Sequence, residues 1–259
     1  MSELSIETRG RGARALVLIH GWAMHGGIFA PLMAELAAEF TLYAVDLPGH
    51  GYSRESALAL DPDAMCSALR GRVPAGALWL GWSMGGLFAL AAARDETLAP
   101  RALALLSVTP RFVQAPGWPQ AMPRRQFAAF AQALAADYRA TVNRFLALEV
   151  LGDAGAQTDL RALRRDVFAR GEPDPARLRE GLELLQHSDL RDALRGITQP
   201  ALWLAGRRDR LVPPAAQRRA AQAMPQGQYA ELEHAAHAGF IGHAHEVAAA
   251  LRRLAERAA

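Results

Sequence analysis

The sequence predicts an α/β protein with a mostly parallel central sheet, helices on both faces and a helical insertion. Short apolar runs alternate with longer helical patterns through most of the 259 residues, which is typical of repeated strand and helix units. This alternation stops between about residues 110 and 190, where only helical spacing continues. Hydrophobic residues make up 51% of the chain and charged residues 21%, a composition that excludes disordered, collagen-like and coiled-coil chains.

The elements follow in order along the chain. Apolar runs predict strands over residues 16–19, 42–45, 78–80, 103–106, 201–205 and 229–232. Helical spacing between and after these runs predicts helices over residues 29–40, 62–70, 84–94, 215–224 and 243–257.

The insertion is predicted to form a cap above the sheet. A loop-like stretch over residues 116–123, PGWPQAMP, introduces it. One apolar helix face is then predicted from residues that recur every three or four positions: Phe127, Phe130, Leu134, Tyr138, Val142 and Phe145. We therefore expect residues 1–110 and 191–259 to form the core, and residues 111–190 to form a helical cap that does not fold separately.

Composition excludes several kinds of chemistry and location. All 29 basic residues are arginine, which excludes Schiff-base, P-loop lysine and Ser-Lys mechanisms. A single cysteine, Cys66, excludes an intramolecular disulfide and a structural zinc cluster. The first residues lack the apolar region of a signal peptide, and no apolar run reaches the roughly 18 residues of a membrane span. We expect a cytoplasmic monomer that binds neither nucleic acid nor membrane.

The sequence around Ser83 predicts a nucleophile. Gly81-Trp82-Ser83-Met84-Gly85 follows an apolar run and opens a helical pattern, which is the strand, sharp turn and helix of a nucleophile elbow. Glycines flank the serine because the turn leaves no room for side chains. An inert serine in a tight turn is the alternative interpretation.

Two later residues are predicted to complete a catalytic triad. Asp209 follows the run at 201–205 and His237 follows the run at 229–232, so both lie where strands end. The order Ser, Asp, His is the one expected for a nucleophile elbow of this kind. His234 is a weaker alternative for the base because it lies almost at the strand end.

Attack by the serine hydroxyl would create an oxyanion, which needs two hydrogen-bond donors. We expect them to be the backbone N–H groups of Met84 and of Trp22, in the loop after the first apolar run, with the Trp22 indole lining the acyl pocket. Alternatively, His20 and Trp22 only pack that loop. The turn-rich segment over residues 46–53 is expected to shape the floor of the site.

Over almost its whole length the sequence resembles the α/β-hydrolase superfamily, and within it the carboxylesterases of biotin synthesis that act on pimeloyl-acyl-carrier-protein methyl ester. The matching stretches are LVLIHGWAMH, FTLYAVDLPGHGYSR, LWLGWSMGGL, TVNRFLALEVLG, LRALRR, GLELLQHSDLR and HAAHAGFIGH. Gly-Trp-Ser followed by RFLAL in the cap is much more specific than the elbow alone.

The resemblance implies a serine carboxylesterase that needs no metal or organic cofactor. It implies Ser83, Asp209 and His237 as the triad, Trp22 and Met84 at the oxyanion and acyl site, and a substrate channel along Phe145, Leu146, Ala147, Leu148 and Glu149. Glu149 departs from the family pattern, which has a neutral glutamine there. Ala140 and Gln157 also stand where the family pattern has arginine.

The cap is also the expected contact with the acyl-carrier protein. Residues 121–165 contain seven arginines and four acidic residues, and three of those arginines share one helical face. The expected contact residues are Arg144, Arg161, Arg164 and Arg165. A solvated, partly self-neutralised helix surface is the alternative, since Asp159 and Asp166 lie nearby.

Other activities left open are a general short-acyl esterase or a carbon–carbon bond hydrolase, and a ligand receptor without catalysis.

Overall fold

The computed structural model describes residues 4–153 and 156–258. Within them, the strands are β1 Ile6–Arg9, β2 Arg14–Ile19, β3 Phe40–Val45, β4 Leu78–Trp82, β5 Ala102–Leu106, β6 Ala201–Gly206 and β7 Gly227–Leu232. The α-helices are α1 Ala30–Leu36, α2 Pro62–Leu69, α3 Gly85–Ala92, α4 Arg124–Ala136, α5 Tyr138–Glu149, α6 Ala156–Asp166, α7 Pro175–His187, α8 Pro214–Ala223 and α9 Ala244–Arg257.

The strands form one sheet in the order β1-β3-β2-β4-β5-β6-β7, in which only β1 runs antiparallel to its neighbour. The chain moves one way along the sheet through α1 and the other way through α2, α3 and α8. Right-handed crossovers therefore put α1 on one face and the other three helices on the opposite face. Helix α9 packs against α1, and α2 packs against α3, which agrees with this arrangement. The predicted fold class is confirmed.

Every predicted strand is present, and each is one or two residues longer than the apolar run that predicted it. Each residue of β4, β5 and β6 is buried, because helices cover both faces of the sheet there. Strand β1 was not predicted, since its sequence IETR is polar and only partly buried at the sheet edge. Helix α1 ends at Leu36, four residues before the predicted boundary, because the chain must enter β3 at Phe40.

The cap helices α4 to α7 lie between β5 and β6 in the chain, where the insertion was predicted. The expectation of one continuous apolar helix face is wrong. Asp137 is extended, with φ −153°, and separates α4 from α5, while its side chain accepts from Ala140 N at 3.0 Å. Phe130 of α4 and Phe145 of α5 still meet, at 5.7 Å between ring centroids.

A polar contact joins the connection between α6 and α7 of the cap to the core. The Arg170 guanidinium bridges the carboxylates of Asp46 and Glu7, and its side chain is only 9% exposed. Beside it, the Nδ1 atom of His25 accepts from Gly27 N, so its Nε2–H donates to Asp166 O at 2.5 Å. We call Arg170, Asp46, Glu7 and His25 the cap latch.

None of the helices that the structure describes has both the length and the apolarity that crossing a bilayer requires.

Candidate active site

Ser83 lies at the sharp turn between β4 and α3. Its φ is +54°, in the left-handed region that non-glycine residues rarely adopt. A side chain at Gly81 would come within 2.5 Å of the Gly85 and Gly86 backbone, and one at Gly85 would overlap Ile19 O. The structure therefore supplies the physical reason for the glycines around the serine, and the turn directs Ser83 to the carboxyl edge of the sheet.

Asp209 and His237 form a buried pair at the same edge. His237 Nδ1 lies 2.9 Å from Asp209 Oδ2, and Asp209 Oδ1 accepts from Leu211 N at 2.9 Å and Val212 N at 2.8 Å. The carboxylate can only accept, so Nδ1 carries the proton and Nε2 is left with its lone pair. Within the described part of the chain this Nε2 is buried without a partner. It is therefore free to accept a proton from an attacking hydroxyl.

The loop that carries His237 is held by groups that the sequence did not reveal. His237 O accepts from Trp82 Nε1 at 3.0 Å and from Ser107 Oγ at 2.9 Å. The alternative base, His234, is exposed, and its Nδ1 lies 3.3 Å from an Arg208 nitrogen. The geometry therefore favours His237 over His234.

Ser83 and His237 line one cavity between the core and the cap. Its volume is about 150 Å³. Its walls are almost entirely apolar, with Trp22, Leu211 and Val212 on the core side. On the cap side the walls include Phe127, Phe130, Phe145, Leu148, Leu182 and Leu185. An apolar chamber with few polar groups suits the alkyl part of a ligand.

The expected channel residues divide into two groups. Phe145 and Leu148 line the cavity, whereas Leu146, Ala147 and Glu149 do not. The Trp22 indole lines it as expected, and its Nε1–H also donates to Leu178 O in α7 at 2.8 Å. Segment 46–53 was expected to form the floor, and none of its residues lines the cavity. Instead, its Asp46 binds Gly26 N, Tyr52 N and Arg170.

The two backbone amides expected to stabilise the oxyanion lie beside the elbow. Met84 N belongs to the residue after Ser83, and Gly21, next to Trp22, is close enough that a side chain there would lie 3.2 Å from Ser83 Cβ. Within residues 4–153 and 156–258, neither the Met84 nor the Trp22 N–H donates to another backbone group. Both amides are therefore available to a ligand atom.

Glu149 is a buried acid close to the Asp209–His237 pair. Glu149 is only 1% exposed, and its Oε2 atom has no hydrogen-bond partner among the described residues. Burial raises the pKa of Glu149 well above its usual value, and the nearby charge of Asp209 raises it further. The environment thus favours the protonated, neutral acid.

The cap arginines expected at the carrier face are exposed. Arg161, Arg164 and Arg165 project from α6, but Arg165 is paired with Asp166 at 2.7 Å. Arg144 on α5 donates to Thr141 Oγ1 at 3.0 Å. Among the described residues, no group of three or more His, Cys, Asp or Glu side chains could hold a metal ion.

The parallel sheet, its serine elbow and the helices inserted before β6 are the architecture of α/β hydrolases. Comparison with known families agrees, since residues 16–250 match the alpha/beta hydrolase family. The chain belongs to that family.

Curated relatives are similar over nearly their whole length. One is the pimeloyl-[acyl-carrier protein] methyl ester esterase of Xanthomonas campestris pv. campestris strain B100, which is 49% identical over 250 residues, covering 96% of this chain and 98% of the relative. The enzyme of the same name from Stenotrophomonas maltophilia strain R551-3 is 50% identical over 249 residues, covering 96% and 95%.

Among solved structures, the esterase EaEST from Exiguobacterium antarcticum superposes with a TM-score of 0.86 at 20% identity, covering 96% of this chain and 94% of that one. This likeness shows the shared fold.

Proposed function

We propose that this protein is a serine carboxylesterase that hydrolyses the methyl ester of pimeloyl-acyl-carrier protein, releasing methanol and pimeloyl-acyl-carrier protein for biotin synthesis. The observation that carries the proposal is the 49% identity, over 96% of the chain, to an enzyme named for that reaction. The buried arrangement of Ser83, His237 and Asp209 beside an apolar cavity supports it chemically. A cytoplasmic location and a monomeric state stay predictions.

The proposed reaction proceeds through an acyl-enzyme. Ser83 Oγ attacks the ester carbonyl carbon while His237 Nε2 accepts the hydroxyl proton. Asp209 stabilises the imidazolium, and the Trp22 and Met84 amides donate to the oxyanion. Methanol leaves with the proton from His237. Water then attacks the acyl-enzyme, again with His237 as the base, and releases the free acid.

The cavity explains why an acyl chain suits this site. Its cap wall consists of aromatic and aliphatic side chains, so the methylene groups of a pimeloyl chain gain free energy by leaving water there. Phe145 and Leu148 are the expected channel residues that make this contact. Trp22 also closes the cavity from below, since it packs edge-on against Phe145 at 5.1 Å between centroids.

The acyl-carrier protein is the proposed partner, and the cap is the proposed contact surface. Arg144, Arg161, Arg164 and Arg165 present exposed guanidinium groups to an acidic carrier. Such rim charges raise the rate of encounter and fix orientation more than they add affinity.

A general short-acyl esterase is the second candidate. The observation in its favour is the Arg165–Asp166 pair, which neutralises part of the proposed carrier surface. The two candidates differ in one measurable ratio, the kcat/KM for the carrier-linked ester relative to that for a small free ester.

The experiment that tests the proposal is mass spectrometry of pimeloyl-acyl-carrier-protein methyl ester before and after incubation with the protein. We expect conversion to the free acid by the wild-type chain and no conversion by Ser83→Ala. Turnover of an aryl ester without conversion of the carrier-linked ester would favour the general esterase. Absence of turnover on both substrates would contradict an esterase function.

A further inference from the structure

The loop between β7 and α9, residues 233–243, holds His237 and is fixed from two directions. From the core, Trp82 and Ser107 bind the His237 carbonyl oxygen. From the cap, the last residue of α5 and the chain that follows it bind the amides on both sides of the histidine. Ala238 N donates to Glu149 O at 3.1 Å, and Ala236 N donates to Asp153 Oδ2 at 3.2 Å. The segment 149–153 therefore meets the histidine loop directly.

Asp153 makes a second contact with the same loop. Its Oδ1 atom lies 3.2 Å from His243 Nε2, and its side chain is only 3% exposed. On the other side of the ring, His243 Nδ1 lies 3.1 Å from Glu246 Oε1. Both partners of the ring are carboxylates, which only accept, so only the doubly protonated imidazolium satisfies them together. Asp153 thus ties both ends of the segment 236–243.

The charges around His243 agree with this geometry. Burial lowers the pKa of His243, but the hydrogen bond with Glu246 and the charge of Asp153 outweigh burial and raise it above the usual value. Arg208 donates to Gly152 O at 2.7 Å and so holds the same cap segment.

We propose that Asp153 is a positioning residue for His237. Through its bonds to Ala236 N and His243, Asp153 fixes the loop that holds the His237 ring in place relative to Ser83. The proposal rests on the proposed function, since it gives Asp153 a part in the same ester hydrolysis. Asp153 lines no part of the substrate cavity, so it acts through the loop. A displacement of a catalytic group by about 1 Å can lower a rate by 10²-fold.

The first test replaces Asp153 and measures kcat and KM for p-nitrophenyl acetate. We expect Asp153→Ala to lower kcat by about tenfold or more with KM within about twofold, because the cavity is untouched. Asp153→Asn should retain most of the wild-type kcat, since its side-chain oxygen still accepts from Ala236 N. The matched control is Asp137→Ala, which removes the side-chain N-cap at the other end of α5, where Asp137 Oδ1 accepts from Ala140 N.

Each outcome decides the proposal. A folded Asp153→Ala variant with wild-type kcat would overturn it, as would equal losses in Asp153→Ala and Asp137→Ala, which would show general loosening of α5. If the wild-type chain turns over no ester, the proposed function fails as well. If the wild-type chain turns over ester and Asp153→Ala leaves kcat unchanged, only the positioning role is excluded.

A second measurement does not depend on the alanine variant folding. The His243 ring proton is followed by NMR from acid to alkaline pH, with His243→Gln used to assign the resonance. Asp153→Asn removes the negative charge and should shift the His243 titration to lower pH. An unchanged titration would mean that Asp153 and His243 do not interact in solution, and would overturn the proposal.

Discussion

Ser83 and His237 line the same cavity, and the nitrogen of His237 that the proposed reaction uses as a base is not bonded to another group of the described residues. Among the described residues, His237 Nε2 is buried without a partner, whereas Nδ1 and the Asp209 oxygens are all engaged. Burial of an unsatisfied polar atom costs free energy, so the fold itself gains nothing from this arrangement. Substrate supplies the missing partner during the reaction.

The first prediction concerns Ser83→Ala. We expect kcat for an aryl ester to fall by about 10⁴-fold to 10⁶-fold, because no other hydroxyl is held at the elbow. The fold should persist, since alanine fits wherever the serine side chain fits, and circular dichroism checks this. A folded variant with near-full turnover would exclude the covalent mechanism.

The second prediction concerns Glu149→Gln and pH. The pKa of Glu149 is raised above 4.5 in the folded state, so above about pH 4.5 the folded chain binds more protons at this site than the unfolded chain does. Stability contributed by the neutral acid is therefore lost as pH rises. Glutamine does not titrate, so the Tm of the variant minus that of the wild type should increase as pH rises above about 4.5.

The control for that prediction is Glu183→Gln, which changes an exposed glutamate of α7. Its Tm should follow the wild-type curve at every pH. A constant Tm difference between Glu149→Gln and wild type across the range would show that Glu149 does not change its protonation on folding.

The sequence located Ser83, Asp209 and His237 because each follows an apolar run, and parallel strands bring such positions to one edge. Asp153 could not be found in this way. Its partners Ala236 and His243 lie 83 and 90 residues away in the chain, and no local pattern marks the contact. Its sequence position shortly after the end of α5 carries no such signal.

At the scale of helices and strands, the apolar spacing predicted where an element lies better than it predicted whether that element is continuous. Buried strands such as β4 and β5 are visible because all their side chains are apolar. Strand β1 is invisible because its order comes from pairing with β3 at the sheet edge. The break between α4 and α5 is hidden because the apolar spacing of the two helices continues across Asp137.

The third prediction concerns the exposed face of α6. Reversal of Arg161, Arg164 and Arg165 to Glu should lower kcat/KM for the carrier-linked ester and leave that for a small ester almost unchanged. The kcat/KM of the wild type for the carrier-linked ester should exceed that of the reversed variant by less as salt increases. Exposed charges are screened over about 8 Å at physiological ionic strength. Equal losses on both substrates would indicate damage to cap packing. No loss on either would put the carrier contact elsewhere.

Across the whole molecule, the cap is joined to the core at two separate places. One is the cap latch, where Arg170 lies over the Tyr52 ring at 4.7 Å and binds Asp46 and Glu7. The other is the segment 149–153 against the histidine loop. Helices α4 to α7 therefore cannot separate from the core without breaking buried polar contacts.

The fourth prediction concerns Arg170→Ala. This change leaves Asp46, whose side chain is fully buried, without its cation. Removal of one partner from a buried ion pair costs about 3 kcal/mol or more, so the free energy of unfolding in urea should fall by about that amount. The control is Arg139→Ala, whose pair with Glu172 is 65% and 40% exposed, so that its loss should change the free energy of unfolding far less. Equal costs would contradict the structural role of the latch.

The contact of Trp22 with the cap has an optical consequence. All five tryptophans are at least 96% buried, so the folded chain should emit at short wavelength. Of these, Trp22 packs on Phe130 and Phe145 and donates to Leu178 O, all of which belong to cap helices. Lifting of the cap would expose this indole to water and move its fluorescence toward the red. Comparison with a Trp22→Phe variant would isolate the Trp22 signal. Opening of the cap could then be followed by the intrinsic fluorescence of the native chain, without an added label.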